Sequence, residues 1–400
     1  MPAVISLADI RDAQARLKGV LRPTPLDWSD SLGRLAGRPV CLKPEYLQRT
    51  GSYKIRGAYN LISRLEGTPE VVAASAGNHA QGVALAASLT DRRSTIFMPK
   101  NAPLPKVEAT RSYGATVRLE GDVVDECMAA AREYADATGA VYVPPFDHPL
   151  VIAGQGTVGL EIAEEATEAE VVVVPVGGGG LIAGVATALG NTRRDVKVIG
   201  VEAEGAAAMR AAVDAGKPVV LDRINTMADG IAVKSVSDLT LAHVRAYVDD
   251  IVTVTEEEIS QALLLLIERA KAVVEPAGAV GLAALLAGKI PGSGPAVTIL
   301  SGGNVDPLLL MKLIDHGLSA AGRYLVLRVV LDDLPGSLAS LTAAVARIGL
   351  NVLEVEHHRV GVHSLDEVEV MLTLETRDPE HRLETVSALR EAGFVVELVR

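Results

Sequence analysis

Four short stretches could carry chemistry. The first is Thr50-Gly51-Ser52-Tyr53-Lys54-Ile55-Arg56-Gly57-Ala58. A lone lysine is ordinarily an exposed surface charge. Here glycines on both sides let backbone approach a bound group, and a helix is predicted to begin at Lys54. A cation at the positive end of a helix dipole is unfavourable for stability, and such local violations mark functional sites. The second stretch, Ser75-Ala76-Gly77-Asn78-His79-Ala80-Gln81-Gly82, follows the apolar run Val71–Ala74. A strand, a small-residue turn and a helix start offer free N–H groups to an anion. Alone, Asn78 also reads as a helix cap. The third, Val176-Gly177-Gly178-Gly179-Gly180-Leu181, places four glycines between a strand and a helix. That is a backbone nest for a phosphate, and it costs more chain entropy than a plain turn requires. It has neither the Gly-Lys-Ser/Thr ending of a Walker loop nor a dinucleotide fingerprint. The fourth, Leu300-Ser301-Gly302-Gly303-Asn304, is preceded by Glu275-Pro276-Ala277-Gly278-Ala279; alone, either is an ordinary turn or helix start.

These stretches need strands and helices to hold them. Val71–Ser75, Ser94–Met98, Ala115–Leu119, Val171–Val176, Lys197–Glu202 and Ala296–Leu300 read as short strands, continuously apolar as in a parallel sheet covered on both faces. Helical patterns such as Gly77–Ala87 and Glu126–Thr138 lie between them. The alternation predicts an α/β core with ligands at the carboxyl ends of the strands. After Gly322 the pattern changes. Tyr324–Leu331 is a strand, Asp332–Gly336 a turn, Ser337–Ile348 a helix, Asn351–His358 and Glu367–Leu374 strands, His381–Glu391 a helix, and Phe394–Val399 a last strand. This βαββαβ order is ferredoxin-like. The expected division is a catalytic region over residues 1–322, with a small lobe of about residues 48–150 inserted, and a separate domain over 323–400.

Composition narrows the partners. The 400 residues are 49% hydrophobic and 22% charged, enough for two or three domains with real cores. Mean hydropathy is +0.28, yet glycines, prolines or charges interrupt every apolar run before the ~18–20 residues a spanning helix needs. With no signal-type apolar segment at the start, the expectation is a soluble, cytoplasmic protein. A net charge of −12 argues against nucleic acid. Cys41 and Cys127 form no disulfide framework or metal site. His148 and His243 lack ligand spacing, and the adjacent His357 and His358 point to opposite faces of a strand.

Taken together and in this order, the motifs resemble the threonine/serine dehydratases, pyridoxal-phosphate enzymes of fold type II (tryptophan synthase β-like). The resemblance covers nearly the whole chain and includes Ile152–Thr157 and Ala228–Val233. It implies pyridoxal 5'-phosphate as cofactor and Lys54 as the lysine bonded to it and as general base at the substrate Cα. It further implies that Asn78 faces the cofactor's ring oxygen, that Gly177, Gly178, Gly179, Gly180 and Leu181 hold its phosphate, and that Ser301 meets the pyridine nitrogen. Ser75, Gly77, Asn78 and His79 then receive the substrate carboxylate. The implied reaction converts L-threonine to 2-oxobutanoate and ammonia, with L-serine to pyruvate as a secondary activity. Serine racemase and threonine synthase, of the same fold, are the alternatives; a non-catalytic amino-acid sensor is the rival of another class. Racemases place a serine base where this chain has Ala76. They also bind a divalent cation through a glutamate, matched by Glu202, and an aspartate, where Ala208 stands, so no metal is expected. The C-terminal segment resembles an ACT domain, through Asp333–Leu338 and Gly349–Val352. It implies regulation by a branched-chain amino acid, isoleucine or valine, at Leu334, Pro335, Gly336 and Asn351, in a dimer or tetramer.

Overall fold

The structure is a computed structural model; it describes residues 3–320, 322–359 and 366–399. The chain divides into two compact units, residues 1–310 and 311–400. The dividing point falls within the helix Pro307–Ala320, so the boundary expected at 322 lies beyond that helix.

The first unit is α/β with two sheets. The larger has, in spatial order, Asp27–Trp28, Val40–Lys43, Ala296–Ile299, Val171–Pro175, Lys197–Ala203 and Asp250–Val254. All neighbours run parallel except the first pair. Its central strands are valine-rich and buried on both faces, as parallel strands under helices must be. The smaller sheet is wholly parallel, in the order Thr116–Leu119, Ser94–Met98, Val71–Ala74, Val141–Tyr142. Its residues lie inside the sequence span of the larger sheet.

One expectation fails here. The run Ala115–Leu119 was expected to be covered on both faces, but its strand, Thr116–Leu119, is largely exposed. It is the edge strand of the small sheet, with one neighbour only. The two-residue strand Val141–Tyr142 and the strand Asp250–Val254 were not foreseen. The first is too short to show a period, and the second begins at Asp250 and carries Thr253 inside it.

An ion cluster whose Arg56, Glu45 and Lys43 side chains are fully buried joins the lobes. Arg56 donates to both Glu45 oxygens (2.8 and 2.7 Å), to Glu161 (2.5 and 2.9 Å) and to Thr157 (2.9 Å). Lys43 lies 2.7 Å from Glu161. Burial works against the Arg56 charge, but the two carboxylates outweigh it and hold the guanidinium protonated. Because Arg56 is two residues past Lys54, the cluster anchors the helix Lys54–Ile62 at its first turn.

The second unit has an antiparallel sheet in the order Val352–His358, Glu367–Glu375, Tyr324–Asp332, Val395–Leu398, with the helices Ser337–Ile348 and Pro379–Glu391. This is the ferredoxin-like order. The alternating burial of Tyr324–Asp332 and Glu367–Glu375 shows one face packed on the helices.

Candidate active site

The loops singled out in the sequence leave the carboxyl ends of strands in both sheets of the first unit, and they meet. Tyr53 N–H donates to the Ser301 carbonyl (3.2 Å) and Gly303 N–H to that of Gly51 (2.9 Å), and Ser52 pairs with Gly302. Asn304 Nδ2 donates to the Thr50 carbonyl (2.7 Å). Thr50 itself has φ 64°, a left-handed conformation that is costly for a β-branched residue and must be held by its surroundings. This backbone zipper sets the start of the Lys54 helix beside Ser301. No side chain caps that helix. The Lys54 ammonium donates to the Pro145 carbonyl at 3.1 Å.

Asn78 does not cap its helix; the cap position is Gly77. Instead Asn78 Nδ2 donates to Glu275 Oε1 (2.6 Å), and its Oδ1 accepts from Asn304 (2.7 Å). Ser75 Oγ accepts from Gly77 N–H at 3.1 Å. His79 is buried with Nε2 2.9 Å from the Val143 carbonyl. Burial, and then the Lys54 charge, push its pKa down to about 3, so the ring is neutral. Glu275 is buried, and that burial, reinforced by Asp229, lifts its carboxyl to about 7 against the opposing pull of Lys106, Asn78 and Lys54.

The glycine loop is a tightly packed turn. A Cβ on Gly178 would lie 2.2 Å from the Phe146 ring, one on Gly177 2.8 Å from Ile231, and one on Gly180 2.8 Å from Phe146. Gly179 has φ 89°, which only glycine adopts freely. The helix Gly180–Thr192 starts here. Among the described residues, no acceptor faces the backbone N–H groups of Gly177 to Ile182. Such a row of free donors at a helix N-terminus suits a phosphate. Two buried hydroxyls in the Lys54 loop, Thr50 Oγ1 and Ser52 Oγ, have no partner among the described residues, and unpaired buried hydroxyls are costly without a ligand or water. Ser301 is buried, and its hydroxyl bonds to none of the described residues. Free donors, orphaned hydroxyls and a primary amine together fit a phosphorylated aromatic aldehyde.

The structure thus brings together Lys54, Asn78, Ser301 and the Ser75–His79 loop, with the glycine loop reached through Phe146 and Pro145. Sequence reasoning passed over four residues. Glu275 lay in a motif read as a turn, and Asp229 in a phrase noted only for its likeness. Lys106 and Phe146 had no local signal. Glu202, whose match to a cation ligand had been noted, accepts from the N–H groups of Met209 and Arg210 (2.8 Å each) and so caps the helix Ala208–Ala215. His243 holds the N-terminal segment by accepting from Ile5 N–H at 2.9 Å.

Of the four residues named in the second unit, Leu334, Pro335 and Gly336 form one turn and Asn351 stands apart from them. Gly336 (φ 101°) precedes the helix Ser337–Ile348, and Asn351 follows its far end. Leu334 is exposed. Asn351 lines a cavity of about 510 Å³ with Arg323, Ile348, Leu350, Glu375 and Arg377.

Residues 17–302 match the family model described as pyridoxal-phosphate dependent enzyme. The chain is 48% identical to the L-threonine ammonia-lyase of Thermotoga maritima, over 99% of this chain and all of that protein. It is 46% identical to that of Geobacter sulfurreducens, over 98% of each. Among solved structures it is similar to maize serine racemase (TM-score 0.74, 36% identity, 79% of this chain and 99% of that one). It is also similar to processed threonine deaminase isoform 2 of Solanum lycopersicum (TM-score 0.73, 37% identity, 79% and 95%). No helix among the described residues is long and apolar enough to cross a membrane. With the family match covering most of the first unit and full-length relatives at nearly half identity, the chain belongs to the pyridoxal-phosphate dependent enzymes.

Proposed function

We propose that this protein is an L-threonine ammonia-lyase that forms 2-oxobutanoate and ammonia, with L-serine as a slower substrate giving pyruvate. The observation that carries the reading is the meeting of Lys54 with the Ser75–His79 loop, backed by relatives of that name at 48% and 46% identity over the full chain. Gly177 to Gly180 and Leu181 would hold the phosphate of pyridoxal phosphate, Lys54 would be the lysine that carries its aldehyde, Asn78 would stand beside the ring, and Ser301 would offer its hydroxyl to the pyridine nitrogen. When bound, the cofactor supplies an electron-withdrawing ring that accepts the electron pair left on the substrate Cα. The protein supplies position and proton transfer. Ser75, Gly77, Asn78 and His79 hold the substrate carboxylate on backbone and side-chain donors. The freed Lys54 amine takes the Cα proton as general base. Ser301, a neutral hydroxyl, leaves the pyridine nitrogen without a carboxylate partner, which favours elimination of the β-hydroxyl over transamination.

Ala76 supports elimination over racemisation, because it offers no acid or base on the second face of Cα. Oxoacid formation from L-threonine and L-serine, with D-serine measured in parallel, tests the reading. Rapid D-serine formation by the native enzyme would favour a racemase, and threonine formed from phosphorylated homoserine a threonine synthase.

The second unit acts as an ACT-type regulatory domain in a cytoplasmic homo-oligomer, with isoleucine or valine as effector. The turn Leu334-Pro335-Gly336 and Asn351 flank a 12-residue helix, which spans about 18 Å. One amino acid therefore reaches both only if two copies present opposite ends of that helix to each other.

A further inference from the structure

The Ser75–His79 loop carries no positive charge of its own. Its residues are Ser, Ala, Gly, Asn and His, and the histidine is buried, neutral and turned to the Val143 carbonyl. Glu275, beside Asn78, offers a carboxyl rather than a cation. An amino-acid carboxylate placed there would meet neutral donors only, apart from lysines. Lys54 is committed to the cofactor. One other lysine reaches the loop. Lys106 lies in the first turn of the helix Leu104–Ser112, its side chain 10% exposed. Its ammonium is 3.9 Å from where a Cβ on Gly77 would sit. It reaches across from the small lobe to Asp229 in the large lobe, 2.7 Å away. Asp229 is 56% exposed, so that partner is wet and exchangeable, whereas Lys106 is buried. An ammonium has three donors, and the Asp229 contact uses one.

We infer that Lys106 is a substrate-binding residue: it supplies the positive charge that pairs with the carboxylate of the incoming amino acid, and Asp229 holds it in place until then. This rests on the proposed role of the Ser75–His79 loop in receiving that carboxylate. A buried charge cannot remain unpaired, so without substrate Lys106 keeps Asp229. With substrate, its remaining donors face the loop. The rival explanation is that Lys106 and Asp229 merely clasp the two lobes. The two accounts predict different patterns, because a clasp fails equally from either end, whereas a carboxylate site fails only when the cation is lost.

The test is calorimetric binding of L-2-aminobutanoate to the cofactor-loaded, full-length enzyme. This probe has the threonine skeleton without the leaving hydroxyl, so binding is read without turnover. Its carboxamide is the second probe. Lys106→Met should weaken L-2-aminobutanoate at least about tenfold, as expected for a lost charge-assisted hydrogen bond, and the carboxamide less than about threefold. Asp229→Asn should leave L-2-aminobutanoate within about threefold of native. Equal weakening by both variants, or equal weakening of both probes by Lys106→Met, would overturn the inference. Lys106→Gln removes the charge but keeps a polar chain, and the same thresholds apply to it should the methionine variant fold poorly. If the native enzyme turns over threonine while neither Lys106 variant loses affinity for L-2-aminobutanoate, this inference alone fails. If the native enzyme makes no oxoacid from threonine, the proposed function itself fails.

Discussion

The two candidate ligand sites of this chain are built in opposite ways. In the first unit, loops from both sheets converge on Lys54, and Ser301, Glu275 and His79 are buried, as are Gly179 and Gly180 of the glycine loop. Their hydrogen-bond partners are fixed by backbone that is itself zipped together. In the second unit, the four residues of the expected effector site lie at the two ends of one helix, with Leu334 exposed. A reaction centre needs its donors pre-set in a dry environment, so that no reorganisation is paid for during the reaction. A regulatory site must differ in affinity between two states of the molecule, and surface residues that need a second copy to complete the site can provide that. The first site can therefore be read within one chain, and the second cannot.

Four variants would break or sharpen this contrast. Lys54→Ala should have the largest effect. Removal of a general base costs about 10²–10⁴-fold, and here the link to the cofactor goes as well. Oxoacid production should fall below detection, the absorbance of bound cofactor should change, and the circular dichroism spectrum should remain native. Turnover near the native rate would remove Lys54 from the proposal.

Arg56→Met comes next. It leaves the Glu45 carboxylate fully buried without its cation, while Glu161 keeps Lys43 at 2.7 Å, and breaking a buried ion pair from one side costs about 3–5 kcal/mol. Denaturant unfolding should lose stability of that order. A loss under about 1 kcal/mol would mean that the cluster is wetter than its burial implies.

Deletion of residues 323–400 should leave threonine turnover intact and abolish the response to isoleucine or valine. Couplings between sites typically correspond to roughly 5–150-fold changes in affinity, so saturation curves with and without effector resolve the difference. Identical responses from the full and shortened proteins would make the second unit an assembly module.

The smallest effect concerns Glu275. Its carboxyl is raised from 4.5 to about 7, chiefly by burial, so the folded state keeps a proton that the unfolded chain has already released. Stability present at and below pH 4.5 is therefore lost as pH rises toward 7. Glu202, also raised to about 7 by burial, adds the same slope. Glu275→Gln should flatten the fall in Tm across this interval by roughly a few degrees, leaving the share due to Glu202. An unchanged profile would mean that Glu275 is ionised throughout.

Much of the site was legible locally. The run Gly177–Gly180 cannot be a costless turn, and the structure shows why each glycine is required: Phe146, Ile231 and Met209 stand where Cβ atoms would go. The helix starting at Lys54 was legible in the sequence, and the structure has it over Lys54–Ile62. The role of Asn78 was harder to read, because a cap and a side-chain bridge look alike in sequence. Only the arrival of Glu275 and Asn304 from far along the chain separates them.

The sequence by itself determined the βα alternation, the loops at the strand ends and the change to βαββαβ after residue 322. Hydrophobic period and turn residues act over a few positions and need no distant partner. Only the tertiary structure decided which side chains meet. The edge position that exposes Thr116–Leu119 depends on sheet order. The burial that makes His79 neutral and raises Glu275, the cross-lobe reach of Lys106 and the separation of Gly336 from Asn351 depend on distances between residues far apart in sequence. Burial and Coulomb interaction act through space, and they exist only once the chain has closed around them.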